Sequence, residues 1–448
     1  MVRPSGGRPF PMTSRWDGRA AAAAFRLAVG SPLVGAWLDR LQVMSQWSQS
    51  DVEGWQRQHA QAALNRARRR LSAYRDNPDY RVARWEDLPV LTKDDVRHRP
   101  AAFSDRRVAG RKVTTGGTGG RPLAVKVATS SFFIEWAHIA YAWRSAGVGL
   151  VDPKITFRGS SLGRGFSDRP VFFQPTYNQL AVSPFHLTGS TFETLLAQLG
   201  HFRPVALWGY PSAITPFARW VERTGPHPAL SSLRAVLLAS EGAFAWQLEL
   251  FRRAFDAQVV RWYGQSEKAV FASGCPTSDG YHVLPTYGLA EIVGGRVIGT
   301  GFTNGAMPLI RYDTEDRARI GQPTCSCGLP FPWLVDIEGR WDQALLWGRS
   351  GEPISTSALN FHDPVFANFD RFQFRQGEPG RVTLLVTEPT DDHCPPEVLE
   401  SARRSLQERV GEALVIDVEL CGHEDLLTRR GKVVTVDQRC TTTDAEIT

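Results

Sequence analysis

The stretch that decides the fold is RKVTTGGTGGRPLAVKV, residues 111–127. Four glycines and three threonines lie between two short segments that resemble β-strands. Because glycine costs conformational entropy on folding, such a cluster indicates a segment that needs exposed backbone N–H groups. Those groups, together with small hydroxyls, can surround phosphate oxygens. The stretch therefore predicts a phosphate-binding loop between two strands, and a plain Gly-rich hairpin turn is the alternative at this point.

The loop differs from a helix-capped P-loop, because no Gly-Lys-Ser/Thr sequence closes it. The residues after Pro122, Leu-Ala-Val-Lys-Val, predict a strand and not a helix. We expect a flap that closes over a triphosphate, with Thr114, Thr115 and Thr118 as hydroxyl donors.

Length and composition indicate a large globular protein. A chain of 448 residues exceeds one ordinary hydrophobic core and predicts two or three domains. The 24 Phe and 14 Trp can fill such cores. Residues 1–15, rich in Pro, Gly, Ser and Arg, are expected to form a disordered lead-in.

Charge and cysteine content narrow the class of protein. The net charge of +6 comes from 52 basic and 46 acidic residues that are dispersed along the chain, which suits ATP or coenzyme A better than nucleic acid. The Ala20–Ala24 run is cut by Arg26, so we expect no membrane span. Six cysteines are too few for a disulfide scaffold, and the sequence predicts a soluble cytoplasmic protein.

Hydrophobic periodicity predicts an α/β fold. Helical patterns cover residues 51–74, with Asp51 as the expected N-cap, and residues 130–147, 246–255 and 395–410. Apolar runs that predict strands cover residues 205–208, 235–239, 259–262, 381–387 and 414–420. Their alternation indicates βα units and a parallel sheet, followed by a β-rich subdomain from about Leu289 and a small α+β domain.

Five further stretches follow the Gly-rich loop in order: LLASEGAF (237–244), RWYGQSEKA (261–269), TNGAMPLIRYDTED (303–316), IEGRWDQALL (337–346) and LTRRGKVV (427–434). Their order and spacing resemble the core motifs of adenylate-forming enzymes. LPVLTKDD (88–95) and WGYPS (208–212) are typical of the phenylacetate–coenzyme A ligase branch, which includes capsule-biosynthesis-type homologues. The resemblance extends from about Trp55 to Arg439.

The resemblance implies that a small carboxylic acid attacks the α-phosphate of ATP, giving acyl-AMP and pyrophosphate. Coenzyme A is the expected acceptor, giving a thioester, and an amine or hydroxyl acceptor is the alternative. A homologue that binds nucleotide without turnover is another alternative, although retention of both Glu267 and Lys432 argues against it. A basic nucleic-acid-binding protein would explain the positive charge but not the ordered motifs.

The resemblance also implies roles for individual residues. Glu267 would bind Mg²⁺, a hard cation that prefers carboxylate oxygen. Lys432 and Thr118 would contact the reacting groups, with Lys432 bridging the carboxylate and the α-phosphate. The nucleotide would lie among Thr114, Thr115, Gly116, Gly117, Thr118 and Gly120 at the phosphates, Ser240, Glu241, Gly242, Tyr263, Gly264 and Ser266 around the adenine, and Asp316 and Arg340 at the ribose.

The implied domains are an N-terminal adenylation body over residues 16–338, a hinge at 339–342 and a mobile C-terminal domain over 343–448 that carries Lys432. Rotation of that domain would serve the two half-reactions. A homodimer is compatible with the sequence.

Four residues depart from the family pattern. Gly119 removes one hydroxyl from the phosphate loop, and Arg121 adds a cation to it. Glu315 replaces a usual glycine and places an extra negative charge beside Asp316, while Lys268 directly follows Glu267.

A second site is expected at Cys275, His282, Cys325 and Cys327. Three thiolates and one imidazole suit a closed tetrahedral zinc site, and similar residues hold zinc in some members of the branch. The alternative is four ordinary residues, two of them in a reduced surface turn.

The acyl pocket is expected near five residues: Trp208, Gly209, Tyr210, His138 and Tyr141. Helix-spaced aromatics are usually core residues, and His138 is expected to be a core or pocket-wall residue and not a base.

Overall fold

The computed structural model describes residues 17–114, 123–157, 170–183, 187–200, 202–240, 242–243, 245–338, 345–359, 365, 368–369, 372–388, 394–429, 432–433 and 436–440. The predicted lead-in over 1–15 and the predicted hinge over 339–342 lie outside these residues. The domain boundaries therefore stay predictions.

Helices precede the first strand of the described chain: α1 (Asp17–Val29), α2 (Pro32–Met44), α3 (Gln49–Arg70), α4 (Ser72–Arg75) and α5 (Lys93–His98). The predicted helix over 51–74 is confirmed as α3 and α4, but its expected cap at Asp51 is wrong. Ser48 is the N-cap, and its hydroxyl accepts a hydrogen bond from the Asp51 backbone N–H. A hydroxyl that reaches the N3 amide explains the difference, and Asp51 itself lies in the first turn.

The N-terminal helices contain one candidate membrane span by length and composition, residues Ala20–Met44. Length and composition alone do not test the expectation of no membrane span, which stays a prediction. The structure divides this stretch into α1 and α2 at Gly30 and Ser31. Val34, Leu41 and Met44 of α2 are buried, and α2 packs against a later helix, α6 (Thr129–Trp143).

The Gly-rich loop joins two antiparallel strands, β1 (Gly110–Thr114) and β2 (Ala124–Ala128), with Thr114 opposite Ala124. This pairing confirms that the segment after the loop is a strand and not a helix. Residues 115–122 lie outside the described residues. α6 follows β2 directly and ends through a tight turn at Gly147, whose φ of 64° suits glycine.

One large sheet contains twelve of the described strands. Their bounds are β3 (Lys154–Phe157), β4 (Val171–Gln174), β5 (Gln179–Val182), β6 (Ala206–Gly209), β7 (Ala235–Leu238), β8 (Gln258–Gly264), β9 (Phe271–Gly274), β10 (Tyr281–Val283), β11 (Gly288–Val293), β12 (Arg296–Gly301), β13 (Tyr312–Ile320) and β14 (Trp333–Glu338). Their spatial order is β11-β12-β13-β14-β10-β9-β8-β7-β6-β3-β5-β4.

The sheet changes character at β8. Strands β5, β3, β6, β7 and β8 run parallel, as the alternation of apolar runs and helices predicts. From β8 to β9 the pairing becomes antiparallel and stays so through β11. The β-rich subdomain expected from residue 289 is therefore a continuation of the same sheet.

Helices cover the parallel half: α7 (Gly189–Leu199), α8 (Pro211–Thr224) and α9 (Ala245–Phe255). Successive residues of β7 face opposite sides, since Val236 belongs to the core with Phe217 and Phe251, whereas Leu237 belongs to the core with Trp143. Both faces of the parallel strands are thus buried, which explains their nearly continuous apolar sequences.

The C-terminal part is a small α+β unit. Its described elements are β15 (Leu345–Trp347), β16 (Pro353–Ser355), β17 (Phe372–Glu378), β18 (Arg381–Val386), α10 (Pro396–Val410), β19 (Val415–Leu420), β20 (Thr428–Arg429), β21 (Lys432–Val433) and β22 (Val436–Gln438). The predicted strand, helix and strand are β18, α10 and β19, and the two strands pair in parallel. β16 packs against α8 of the body.

Candidate active site

The candidate site lies at the carboxyl ends of the parallel strands. β6, β7 and β8 pair in register at Gly209, Leu238 and Arg261, so the segments that follow them leave the sheet at one edge. Ligands of open α/β sheets bind at this edge. The same edge borders the change from parallel to antiparallel pairing between β8 and β9.

Gly209 is required by close packing at this edge. A Cβ atom there would lie 2.5 Å from the backbone oxygen of Phe157 on β3. Neighbouring Trp208 and Tyr210 are buried. The expected pocket segment is therefore fixed where β6 ends, and its contact with an acyl group stays a prediction.

Tyr263 and Asp316 meet across 53 residues of sequence, because β8 and β13 converge at the site. The Tyr263 hydroxyl donates a hydrogen bond to Asp316 Oδ2 at 2.7 Å. Burial and then the nearby carboxylate raise the pKa of Tyr263 well above its usual value, so the phenol stays a donor. Asp316 is only 7% exposed, and the hydrogen bond fixes its orientation.

Glu267 accepts a hydrogen bond from a second tyrosine, which lies on β13. The side chain is 4% exposed, and its Oε1 accepts a hydrogen bond from the Tyr312 hydroxyl at 3.1 Å. A tyrosine hydroxyl therefore positions each of the two acidic residues expected to contact Mg²⁺ and ribose. Tyr263 of β8 donates to Asp316, and Tyr312 of β13 donates to Glu267. Sequence reasoning missed Tyr312, which stands four residues before Asp316 in the same motif.

Lys268 does not neutralise Glu267. Its ammonium forms an ion pair with Glu135 of α6, and both side chains are largely buried. Lys268 has a φ of 61°, a left-handed conformation that turns the chain directly after Glu267. The cation that follows the motif is thus engaged with α6.

Gln265 is a further residue that the sequence analysis did not single out. Its Oε1 accepts a hydrogen bond from the Val270 backbone N–H at 3.1 Å. Its amide nitrogen is buried and forms no hydrogen bond of good geometry among the described residues. Burial and Asp316 raise the pKa of Tyr263, and the Gln265 side chain partly opposes them through a weak hydrogen bond to the phenol. A buried donor that is incompletely paired leaves a position for a ligand oxygen.

Several expected residues fall in other positions. Ser240 follows β7 with a φ of 72°, and Gly242 is exposed beside it. Ser266 lies between Gln265 and Glu267, and Gly264 ends β8. Thr115, Gly116, Gly117, Thr118, Gly119, Gly120, Arg121, Glu241 and Arg340 lie outside the described residues, so their roles stay predictions.

Lys432 lies in β21, where its backbone pairs with Arg429 of β20. Its side chain is outside the described part of the structure. The catalytic role expected for Lys432 therefore rests on the resemblance.

His138 is a core residue in the described structure. Its Nδ1 and Nε2 lie 2.8 Å from Ile134 O and 2.9 Å from Thr286 Oγ1, respectively. Burial lowers its pKa to about 4, so the imidazole is neutral at pH 7. The expectation that His138 is no base stays a prediction. Tyr141 lies beside the ring of Phe331, and burial raises its pKa.

Four tryptophans pack together behind the strand ends. The Trp143 ring lies 5.2 Å from Trp208 and 6.0 Å from Trp262, and the Trp136 ring lies 6.1 Å from Trp208. Trp262 directly precedes Tyr263 on β8. This indole cluster, Trp136, Trp143, Trp208 and Trp262, connects α6 to two of the strands that form the site.

The predicted metal ligands come together. One donor atom from each of Cys275, His282, Cys325 and Cys327 lies within 4.8 Å of the other three. Cys275 Sγ is 3.4 Å from Cys325 Sγ, and Cys327 Sγ is 3.1 Å from His282 Nε2. The sulfur separation is far above the ~2.05 Å of a disulfide and close to the spacing around tetrahedral zinc, where Zn–S is ~2.3 Å. The donor set and its spacing fit a zinc ion.

The fold orients these ligands. His282 lies on β10, and its Nδ1 is 3.1 Å from Phe331 O, which directs Nε2 to the cysteines. Gly328, with a φ of 76°, closes the turn after Cys327 and donates its N–H to Cys325 O at 3.0 Å. Burial acts to raise the pKa of Cys275, but hydrogen bonds from Ser278 and Thr277 outweigh it and lower the pKa to about 5.

No family profile matches the chain. Protein CapK of Staphylococcus aureus is 24% identical over 247 residues, 53% of this chain and 55% of CapK, so the chain spans about half of that relative. A phenylacetate–coenzyme A ligase of Thermus thermophilus is 25% identical over 365 residues, 73% of this chain and 80% of that enzyme.

A phenylacetate–coenzyme A ligase of Pseudomonas putida is 26% identical over 65% of this chain and 70% of that enzyme. Among solved structures, a 2-hydroxyisobutyryl-CoA ligase in complex with 2-HIB-AMP and CoA superposes with a TM-score of 0.51 at 18% identity. That alignment covers 88% of this chain and 91% of the ligase, and it shows a common fold. The chain is therefore similar in sequence to the phenylacetate–coenzyme A ligases and CapK, and it shares the fold of a 2-hydroxyisobutyryl-CoA ligase.

Proposed function

We propose that this protein activates a carboxylic acid with ATP as an acyl-adenylate and then transfers the acyl group to coenzyme A. The observation that carries the proposal is the placement of Glu267 and Asp316 at one sheet edge, each fixed by a tyrosine hydroxyl. The likeness to phenylacetate–coenzyme A ligases supports the same two half-reactions.

In the first half-reaction, a carboxylate oxygen of the acid bonds to the α-phosphorus of ATP. The bond from that phosphorus to the bridging oxygen breaks, and pyrophosphate leaves. Asp316 would accept hydrogen bonds from the ribose hydroxyls, since an ionised carboxylate is only an acceptor. The buried amide nitrogen of Gln265 would donate to an oxygen of the bound nucleotide or acid.

Charge neutralisation accounts for the other residues of the site. Glu267 would hold Mg²⁺, which supplies positive charge to the phosphate oxygens when it is bound. Lys432 would place an ammonium group between the carboxylate and the α-phosphate, where negative charge develops in the transition state. The loop after Thr114 would surround the β- and γ-phosphates with backbone N–H groups.

In the second half-reaction, the coenzyme A thiolate attacks the acyl carbon and AMP leaves, giving a thioester. An amine or hydroxyl acceptor would give an amide or an ester by the same exchange. Transfer requires access to the acyl carbon after pyrophosphate has left, which supports a C-terminal part that moves about residues 339–342. Those residues lie outside the described structure.

We also infer that the cysteine cluster binds a structural zinc ion. Four protein donors complete a tetrahedral shell, and such closed shells are typical of structural zinc. The ion would connect the end of β9, strand β10 and the turn before β14. These segments belong to the antiparallel half of the sheet, so zinc would stabilise that half without entering the reaction.

The experiment that tests the function is acid-dependent release of pyrophosphate from Mg·ATP, with a panel of aryl, aliphatic and hydroxy acids. Hydroxylamine traps the acyl-adenylate as a hydroxamate, and omission or addition of coenzyme A separates the two half-reactions. Lys432→Ala and Glu267→Gln should abolish acid-dependent release. Glu249→Gln is the matched control, because Glu249 is an exposed carboxylate on α9.

Release that depends on one acid and is lost in both site variants would establish adenylation and identify the substrate class. Thioester formation with coenzyme A would then identify the acceptor, whereas products with amines or alcohols would favour the alternative. ATP binding without release across the whole panel would contradict the proposal and favour a nucleotide-binding homologue that has lost catalysis.

A further inference from the structure

The segment from Glu86 to Asp95, which we name the strap, lies along the start of β13. Arg311 Nη1 donates to the backbone oxygens of Glu86, at 2.9 Å, and Leu88. The Leu91 N–H donates to Arg311 O at 2.9 Å, and the Asp313 N–H donates to Leu91 O at 2.9 Å. These bonds form a parallel bridge between Leu91 and Tyr312. The strap therefore pairs through its backbone with the start of β13, a few residues before Asp316.

The strap ends in an ion pair beside the candidate ribose carboxylate. Thr92 and Asp95 form a capping box that begins α5, and Lys93 is the first residue of this helix. Lys93 Nζ lies 2.8 Å from Glu315 Oε2, across 222 residues of sequence. The Lys93 side chain is 7% exposed and that of Glu315 is 35% exposed. A largely buried ammonium thus meets the acid directly before Asp316.

Glu315 is an unusual residue for its backbone conformation. Its φ of 65° lies in the left-handed region, which costs a non-glycine residue about 1–2 kcal/mol. Its N–H donates to Asp313 Oδ1 at 2.7 Å, and the next N–H, of Asp316, donates to Thr314 Oγ1 at 3.2 Å. Glu315 lies inside β13, at a bulge where the pairing with β12 is irregular, and Asp316 in this bulge meets Tyr263. A residue that holds Glu315 in the bulge also fixes Asp316.

Charge supplies the second part of the argument. Glu315 and Asp316 are adjacent carboxylates, and like charges at short distance disfavour ionisation of one another. The ammonium of Lys93 offsets one of these charges. The ion pair thus places a positive charge beside the acid that directly precedes the buried Asp316 on β13. Breaking such a pair from one side costs more than removing both partners.

We propose that Lys93 is a positioning residue for nucleotide binding, because its ammonium pairs with Glu315 and holds the left-handed residue of the β13 bulge that presents Asp316 to the ribose. This inference rests on the proposed function of Asp316 as the ribose ligand. It also explains how the chain retains a glutamate where the backbone favours glycine. Lys93 itself does not contact the nucleotide in this scheme.

The test is a double-mutant cycle of Lys93→Met and Glu315→Gly in the full chain. Methionine keeps the aliphatic stem and removes the charge, and glycine adopts the left-handed φ without cost. Calorimetric titration measures affinity for ATP and for 2′,3′-dideoxy-ATP, which lacks the hydroxyls that Asp316 would bind. Thermal unfolding of each variant checks that it is folded.

We expect Lys93→Met to weaken ATP binding about tenfold and to change 2′,3′-dideoxy-ATP binding by less than about twofold. Glu315→Gly should bind ATP at least as tightly as the natural protein, and the double variant should recover most of the lost affinity. Lys93→Arg should retain binding. A purely structural role would weaken both nucleotides equally, which would overturn the proposal.

The two levels of the argument fail in different ways. A natural protein that binds ATP and 2′,3′-dideoxy-ATP equally would refute the ribose role of Asp316 and this inference with it. A natural protein that prefers ATP, with Lys93→Met unchanged or with no recovery in the double variant, would refute only the role of Lys93. If Lys93→Met does not fold, the ATP affinities of the double variant and of Glu315→Gly are compared instead. The proposal predicts equal affinities, because Lys93 has no further role once Glu315 is absent, and unequal affinities would contradict it.

Discussion

Removal of one zinc ligand should release the ion and destabilise the antiparallel half of the sheet. The perturbation is Cys325→Ser, which replaces a thiolate 3.4 Å from Cys275 Sγ with a hydroxyl that does not ionise near pH 7. Zinc in closed sites needs deprotonated thiolates, so three donors would remain in place of four. The ion then no longer joins β9, β10 and the turn at residues 325–327.

The magnitude follows from ligand linkage. An ion present at about a thousand times its dissociation constant stabilises the folded state by about 4 kcal/mol. For a large domain, 1 kcal/mol shifts Tm by about 2 °C, so loss of the ion should lower Tm by about 8 °C.

The assay pairs elemental analysis of zinc with thermal unfolding, with and without a chelator. Cys421→Ser is the matched control, because Cys421 is a partly exposed free cysteine outside the cluster. It should retain one zinc per chain and a Tm within about 1 °C of the natural protein. A full equivalent of zinc in Cys325→Ser, or a natural protein that binds no zinc when it is supplied, would refute the reasoning.

Three further predictions concern the site and the core. Tyr263→Phe removes the 2.7 Å hydrogen bond to Asp316 and should weaken ATP binding about tenfold or more, because hydrogen bonds to charged groups contribute about 1.5–3 kcal/mol. Calorimetric titration measures this affinity, and an unchanged value would contradict the role of the pair. Gln265→Leu should lower the rate of pyrophosphate release by at least about tenfold, because it deletes the buried amide nitrogen that would donate to the ligand. An unaltered rate would exclude that contact. Lys154 donates to three backbone oxygens, of Leu150, Asp152 and Tyr177, and burial lowers its pKa from 10.5 to about 7. The unfolded chain therefore binds the Lys154 proton more tightly than the folded chain, so stability rises as pH rises. Relative to Lys154→Met, the free energy of unfolding of the natural protein should increase by about 2 kcal/mol from pH 7 to pH 9, as measured by urea titration. A difference that stays constant with pH would contradict this.

Local patterns predicted most of the fold. The β6, β7 and β8 strands and the α9 and α10 helices lie within a few residues of their expected bounds, because apolar periodicity reports which face of each element is buried. The prediction of Asp51 as the N-cap of α3 was wrong. Both Ser48 and Asp51 have suitable side chains, and only the backbone geometry decides between them. Continuity of the twelve-stranded sheet depends on pairing between distant strands, which periodicity does not encode.

The site was predictable as a set of motifs but not as a set of contacts. Resemblance identified Glu267, Tyr263 and Asp316, whereas the tyrosine hydrogen bonds depend on how β13 approaches the end of β8. Glu315 was expected to add a negative charge beside Asp316. The structure adds its partner, since the ammonium of Lys93, 222 residues earlier in the chain, lies against Glu315. No local spacing rule connects residues so far apart.

The indole cluster gives the protein a built-in optical signal. Indoles at 5.2–6.5 Å, in fixed and steeply inclined pairs, couple their electronic transitions and should produce a strong near-ultraviolet circular dichroism band. Trp262 adjoins the strand end that carries Tyr263, so a nucleotide that shifts β8 would alter this band. Adenylate formation and its decay could then be followed in real time without a label, on the natural protein and on every variant that leaves the four indoles in place.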